Sequence, residues 1–269
     1  MLLTFALLLA PAHAETPACA DNALPLEAPG NGPAQTEVLI KQGLACAREG
    51  KRAVAIAFFS EAIRLNPTNA AAYLDRGSIQ AGQGEVALAI GDYSTAINLQ
   101  PELVEAWYNR GTTLTHMRRF EIAIADFTEA LRLKPDFALA YCNRGVANFE
   151  LGRYDDALVD YSVAIDRDPK LTYCYFSRGS LYLTLGDYQK AVSDLTTALG
   201  EQPADALALS RRGQAYEALG QKRQALDDFR AALEADAKLE SAREGFARLM
   251  AEQQQSDGGK PMTGKAGKP

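Results

Sequence analysis

The sequence predicts an all-α solenoid of six helix-turn-helix repeats, each 34 residues long, closed by a capping helix. Four registers predict it. Gly43, Gly77, Gly111, Gly145, Gly179 and Gly213 stand 34 residues apart. So do Ala55, Ala89, Ala123, Ala157, Ala191 and Ala225, and again Ala62, Ala96, Ala130, Ala164, Ala198 and Ala232. Pro67, Pro101, Pro135, Pro169 and Pro203 keep the same step, with Ala237 where a sixth proline would fall. Self-similarity at a fixed period of this size marks stacked supersecondary units.

The chain begins with an apolar run, Leu2 to Ala10, followed by Ala12-His13-Ala14. That pattern suits signal-peptidase cleavage before Glu15, so residues 1–14 are expected to be a signal peptide and the mature protein periplasmic or secreted. The run lacks a preceding Lys or Arg, and it is too short to span a bilayer. Residues 15–35 hold Pro17, Pro25, Pro29 and Pro33 with Gly30 and Gly32, a composition that reads as a linker.

The six units run over 36–69, 70–103, 104–137, 138–171, 172–205 and 206–239 without an insertion. Within the fourth, Tyr141, Gly145 and Asn148 fall at i, i+4, i+7, and Ala157, Tyr161 and Ala164 repeat that spacing after Gly152. Each half therefore has one helical face to bury. Gly50, Gly84, Gly152, Gly186 and Gly220 mark the break between the halves, where a left-handed residue ends a helix cheaply. The third unit has Arg118 there, so its turn is expected to be the most strained or differently capped. Gly and Ala at the crossing let two backbones approach, while bulky residues such as Tyr141 and Tyr161 fill the space beside them. Residues 240–255 place Ala242, Phe246, Leu249 and Met250 on one face, as a capping helix requires. Residues 256–269, rich in Gly, Lys and Pro, have almost nothing to bury and are expected to be disordered.

A bulky residue, Gly, Ala, an aromatic, Ala and Pro at these offsets resemble the tetratricopeptide repeat family, in the bacterial variety that reads Asn109-Arg110-Gly111 and Asn143-Arg144-Gly145 in its first helices. The resemblance implies a right-handed superhelix whose first helices line a concave groove that takes peptides or partner proteins. Carried onto this chain, the groove stripe includes Tyr108 in the third unit; Leu139, Cys142, Val146 and Phe149 in the fourth; and Tyr173, Phe176 and Leu183 in the fifth. Asn109 and Asn143 lie beside it, placed to bond a peptide backbone. The same side chains equally suit packing between neighbouring repeats, and the two readings stand side by side. The family's carboxylate clamp for chaperone tails is absent: its places hold Ile40, Leu44, Asp75, Glu105 and Asn109, which argues against a cytoplasmic adaptor of that kind.

Polar residues outside the repeat pattern are few. The net charge of −6 and the lack of a basic stripe exclude nucleic acid as a partner. No phosphate-cradling or dinucleotide glycine motif occurs, no cofactor is implied, and His116 is the one histidine beyond residue 14. Cys19 in the linker and Cys46 in a helix core are expected to be unpaired. Cys142 and Cys174 sit on neighbouring first helices, whose axes at about 8 to 10 Å argue against a bridge. Arg76, Arg110, Arg144, Arg178 and Arg212 precede the repeat glycines, and Asp92, Asp126, Asp160, Asp194 and Asp228 follow sixteen residues later. The first unit has Gln42 and Phe58 instead, lacking both partners together, so pairing within each unit leaves no orphan. The reading reached is a non-catalytic scaffold for a protein or peptide with apolar anchors, touching membrane only through such a partner. The rival is an enzyme or redox protein using Cys142, Cys174 or His116.

Overall fold

The computed structural model describes Cys19 and residues 33–258, which divide into two compact units, residues 1–152 and 153–269. Thirteen helices and no strand occur among the described residues. The first unit holds α1 (Pro33–Arg48), α2 (Arg52–Leu65), α3 (Ala70–Gly82), α4 (Val86–Leu99), α5 (Val104–His116), α6 (Phe120–Leu133) and α7 (Ala138–Glu150). The second holds α8 (Tyr154–Arg167), α9 (Thr172–Leu185), α10 (Tyr188–Leu199), α11 (Ala206–Ala218), α12 (Lys222–Ala235) and α13 (Glu240–Gly258). The leader at 1–14, the linker apart from Cys19 and residues 33–35, and the tail from residue 259 lie outside the described residues.

Both ends differ from expectation. The first helix starts at Pro33 rather than Thr36, because a proline at the first helical position gives up an N–H that has no intrahelical partner anyway. The last helix continues to Gly258, past the expected end at Gln255 and into the segment read as disordered.

Within the first unit each helix packs on the next, and first helices also touch along the row α1, α3, α5, α7. The second unit repeats this, with α9, α11 and α13 in a row. The crossings are as tight as the small residues predicted. A methyl group built on Gly111 would lie 2.9 Å from the Phe127 ring, and one on Gly213 would lie 2.8 Å from Phe229. Ala123, Ala130, Ala225 and Ala232 are fully buried beside these rings.

The turn between paired helices has one hydrogen-bond pattern in the first, second, third, fifth and sixth repeats. The amide next after the left-handed residue donates back to a carbonyl five residues earlier: Lys51 to Cys46, Glu85 to Gln80, Arg119 to Leu114, Asp187 to Tyr182 and Gln221 to Tyr216, all at 2.8 or 2.9 Å. This closure needs a left-handed residue, supplied by glycine with φ from 73° to 82° at the five glycine positions. In the third repeat Arg118 adopts it at φ 57°, a strain of about 1 to 2 kcal/mol for a residue with a Cβ. Its guanidinium lies 5.3 Å from the Phe120 ring and 3.5 Å from Glu150, contacts that offset part of that strain.

Candidate protein-interaction face

The first-helix stripe was the sequence's candidate site, and its residues fall into two classes. Tyr108 on α5 is only 3% exposed. Its ring lies 4.8 Å from Phe137 and 6.0 Å from Phe127, and its hydroxyl accepts from Asn143 Nδ2 at 3.1 Å. Burial pushes the phenol pKa up, against the pull of Thr112 and Asn143. Asn109 is fully buried, and its amide donates to Ser78 Oγ on α3 at 3.1 Å. Cys142 is fully buried and disulfide-bonded. Of the two readings left open for the stripe, the burial of these three favours packing between helices. Neighbouring first helices approach closely enough for side chains 31 residues apart to bond, as Asn109 does to Ser78 and Asn143 to Thr112 at 3.4 Å, so the middle of the stripe is consumed by packing.

The other seven stay half-exposed. On α7 these are Leu139, Asn143, Val146 and Phe149, and Leu139 also leans on the cluster around Phe127. In the second unit, Tyr173, Phe176 and Leu183 stand on α9; Phe176 and Leu183 press on a cluster containing Val192, Leu195 and Ala215. In each unit one helix thus presents a partly open apolar face.

The arginine row is structural. Arg76, Arg110, Arg178 and Arg212 each give Nε and Nη2 to the two oxygens of Asp92, Asp126, Asp194 and Asp228, at 2.7 to 3.0 Å. Arg144 and Asp160, the corresponding residues of the fourth repeat, belong to different units. Sequence reasoning missed the third partner. The Nη1 of every arginine donates to a hydroxyl on the second helix of the preceding repeat: Ser60, Ser94, Thr128, Ser162 and Thr196, at 3.0 to 3.2 Å. The signal was present, since those hydroxyls also recur every 34 residues. In the sixth repeat Arg230 takes the hydroxyl's place and Phe246 the arginine's, and the guanidinium lies 5.9 Å from that ring. Aromatic rings flank the row, with Arg110 5.0 Å from Trp107 and Arg178 5.8 Å from Tyr175.

The cysteines differ from expectation. Cys19 and Cys46 are bonded to each other, with Cα atoms 4.6 Å apart, and Cys142 and Cys174 are both disulfide-bonded too; no cysteine is free. None offers a thiolate for nucleophilic or redox chemistry in this state. Desolvation draws the His116 imidazole below its ordinary pKa, toward the neutral form. Among the described residues no group of three or more His, Cys, Asp and Glu is placed to hold a metal ion.

The tetratricopeptide repeat model matches residues 40–104, 108–171 and 176–240. No curated protein matches the chain in sequence. Among solved structures, pilF of Pseudomonas aeruginosa is 16% identical, with a TM-score of 0.72 over 81% of this chain and 98% of its own. A tetratricopeptide repeat protein from Parabacteroides merdae is 25% identical, with a TM-score of 0.59 over 81% of this chain and 85% of its own. YrrB, described as a tetratricopeptide repeat protein with an unusual peptide-binding site, is 21% identical, with a TM-score of 0.58 over 72% of this chain and 97% of its own. At 16% and 21% identity the likeness is one of fold. The family is generally a non-catalytic scaffold whose members commonly mediate protein or peptide binding. By three matches that cover most of the chain, and by the helix pairs and small-residue crossings already described, this protein belongs to the tetratricopeptide repeat family.

Proposed function

We propose that the chain is an exported, non-catalytic scaffold that binds an extended protein segment carrying apolar anchors. The observation that carries the reading is the α7 face. Leu139, Val146 and Phe149 fall at i, i+7 and i+10 of one first helix and remain half-exposed, whereas Cys142 between them is spent in a disulfide. Apolar side chains left partly open on one face favour a partner's apolar groups over water. Asn143, half-exposed beside them, adds a polar group at the edge of the patch. The peptide-binding precedent of YrrB supports the same reading at the level of the fold.

Peptides selected on the wild-type protein from a random library are expected to carry apolar anchors and to bind the Val146→Asp/Phe149→Ser variant at least about tenfold more weakly, since two lost apolar contacts are worth roughly 2 kcal/mol. Circular dichroism should show unchanged helicity. Equal affinity for the variant would sink this placement of the site.

Export is supported by the leader-like Leu2–Ala14 stretch and by the four disulfide-bonded cysteines, since disulfides persist in oxidising compartments. Sequencing of protein from the native host is expected to begin at Glu15; an intact Met1 on soluble cytoplasmic protein would overturn it.

A further inference from the structure

The repeats are not equally braced, and the first has a brace of its own. Repeats two to six each carry an arginine that bonds back to a hydroxyl on the preceding repeat. The first has Gln42 at that place and Phe58 where the aspartate would stand. Among the described helices it is also stacked on one side only, and a repeat's stability is roughly its own plus that of its neighbouring interfaces. Cys46, near the end of α1, is bonded instead to Cys19, 27 residues earlier. Cys19 is 7% exposed and Cys46 fully buried, in one cluster with Leu39, Leu44, Phe58 and Phe59. The Cys19 amide donates to Glu49 Oε1 at 2.8 Å, a second tie to the α1–α2 turn.

We propose that Cys19–Cys46 is a redox latch on the first repeat: its formation closes the chain from residue 19 to residue 46 into a loop and so holds α1 in the cluster with Phe58, Phe59 and Ala72, and its reduction lets α1 open locally while the later repeats stay folded. The proposal is independent of where a partner binds. In closing, the two thiols give up two protons and two electrons to a disulfide oxidant, which leaves as a dithiol; a dithiol reductant reverses the exchange. The covalent tie removes the chain entropy that α1 would otherwise gain on opening, the stabilisation that the arginine–aspartate pair supplies elsewhere. The first repeat is therefore completed only once the chain meets an oxidising environment. Until then Phe58 and Phe59 have an intermittently open neighbour.

Hydrogen exchange read by mass spectrometry on the full chain tests this. In Cys19→Ala, which removes the bond and leaves Cys46 in place, amides of residues 33–48 are expected to exchange on the order of a hundredfold faster than in oxidised wild type, with those of α9 to α12 unchanged. Cys46→Ala should show the same acceleration. Unchanged exchange in α1 overturns the latch. So does acceleration in Cys46→Ala alone, which would report a packing defect, and so does equal acceleration in every helix or loss of helicity in Cys19→Ala, which would make the bond a brace for the whole chain.

Discussion

Tyr108→Ala is expected to lower the unfolding free energy of the protein by about 3 to 5 kcal/mol, the range for deleting a buried aromatic ring. The ring fills the space between Phe127 and Phe137, so its loss leaves a cavity walled by rigid neighbours that have little freedom to collapse. Its hydroxyl is the nearer acceptor for the Asn143 amide, which would keep only Thr112 at 3.4 Å. Tyr108→Phe separates the two effects, since it keeps the ring and removes the hydrogen bond, at about 1 kcal/mol. Urea unfolding followed by the fluorescence of Trp107, the only tryptophan and the residue before Tyr108, measures both. A loss below about 1 kcal/mol for Tyr108→Ala, together with loss of peptide binding, would return Tyr108 to the binding face.

The contrast between Tyr108 and Val146 shows where sequence reading stops. Both belong to the stripe carried over from the family, but Tyr108 is buried and Val146 is half-exposed. The 34-residue period was legible because every repeat solves the same steric problem: a glycine such as Gly111 must meet a ring such as Phe127. Exposure along the stripe depends on how closely consecutive first helices approach, and the contacts that report it, Asn109 to Ser78 and Asn143 to Thr112, join residues 31 apart. An alignment by 34 does not bring those residues together.

The charged pairs and the cysteines divide in the same way. Gln42 and Phe58 identified the partners of the arginines because both members vanish from one repeat. The hydroxyl row escaped because Ser and Thr at a helix position have many ordinary explanations, and only its loss at Arg230 ties it to the arginines. For Cys19, composition described a linker but held no information on where that linker returns.

Arg110→Ala is expected to cost about 3 kcal/mol, the lower end of the range for orphaning one member of a buried pair. The Arg110 side chain is 19% exposed but that of Asp126 only 3%, so the substitution admits little water to the carboxylate left behind. Three bonds go at once: two to Asp126 at 2.8 Å and one to Ser94 at 3.0 Å. Burial already holds the Asp126 carboxyl above its ordinary value, with the Arg110 bonds pulling it down; without Arg110 it rises further. The sign of the pH dependence follows. In the variant, folded Asp126 binds its proton at a higher pH than the unfolded chain does, so the penalty is full above the raised pKa and fades as pH falls through it toward the unfolded value near 3.9. Adding Asp126→Asn to Arg110→Ala removes the titrating charge, and the double variant is expected to recover most of the loss at pH 7 and to lose that pH dependence. Urea midpoints of wild type and both variants at pH 7 and pH 5 decide it. A deficit under about 1 kcal/mol that ignores pH would make the pair an exposed one, worth no more than a surface salt bridge, and would free the arginine row to face an anionic ligand.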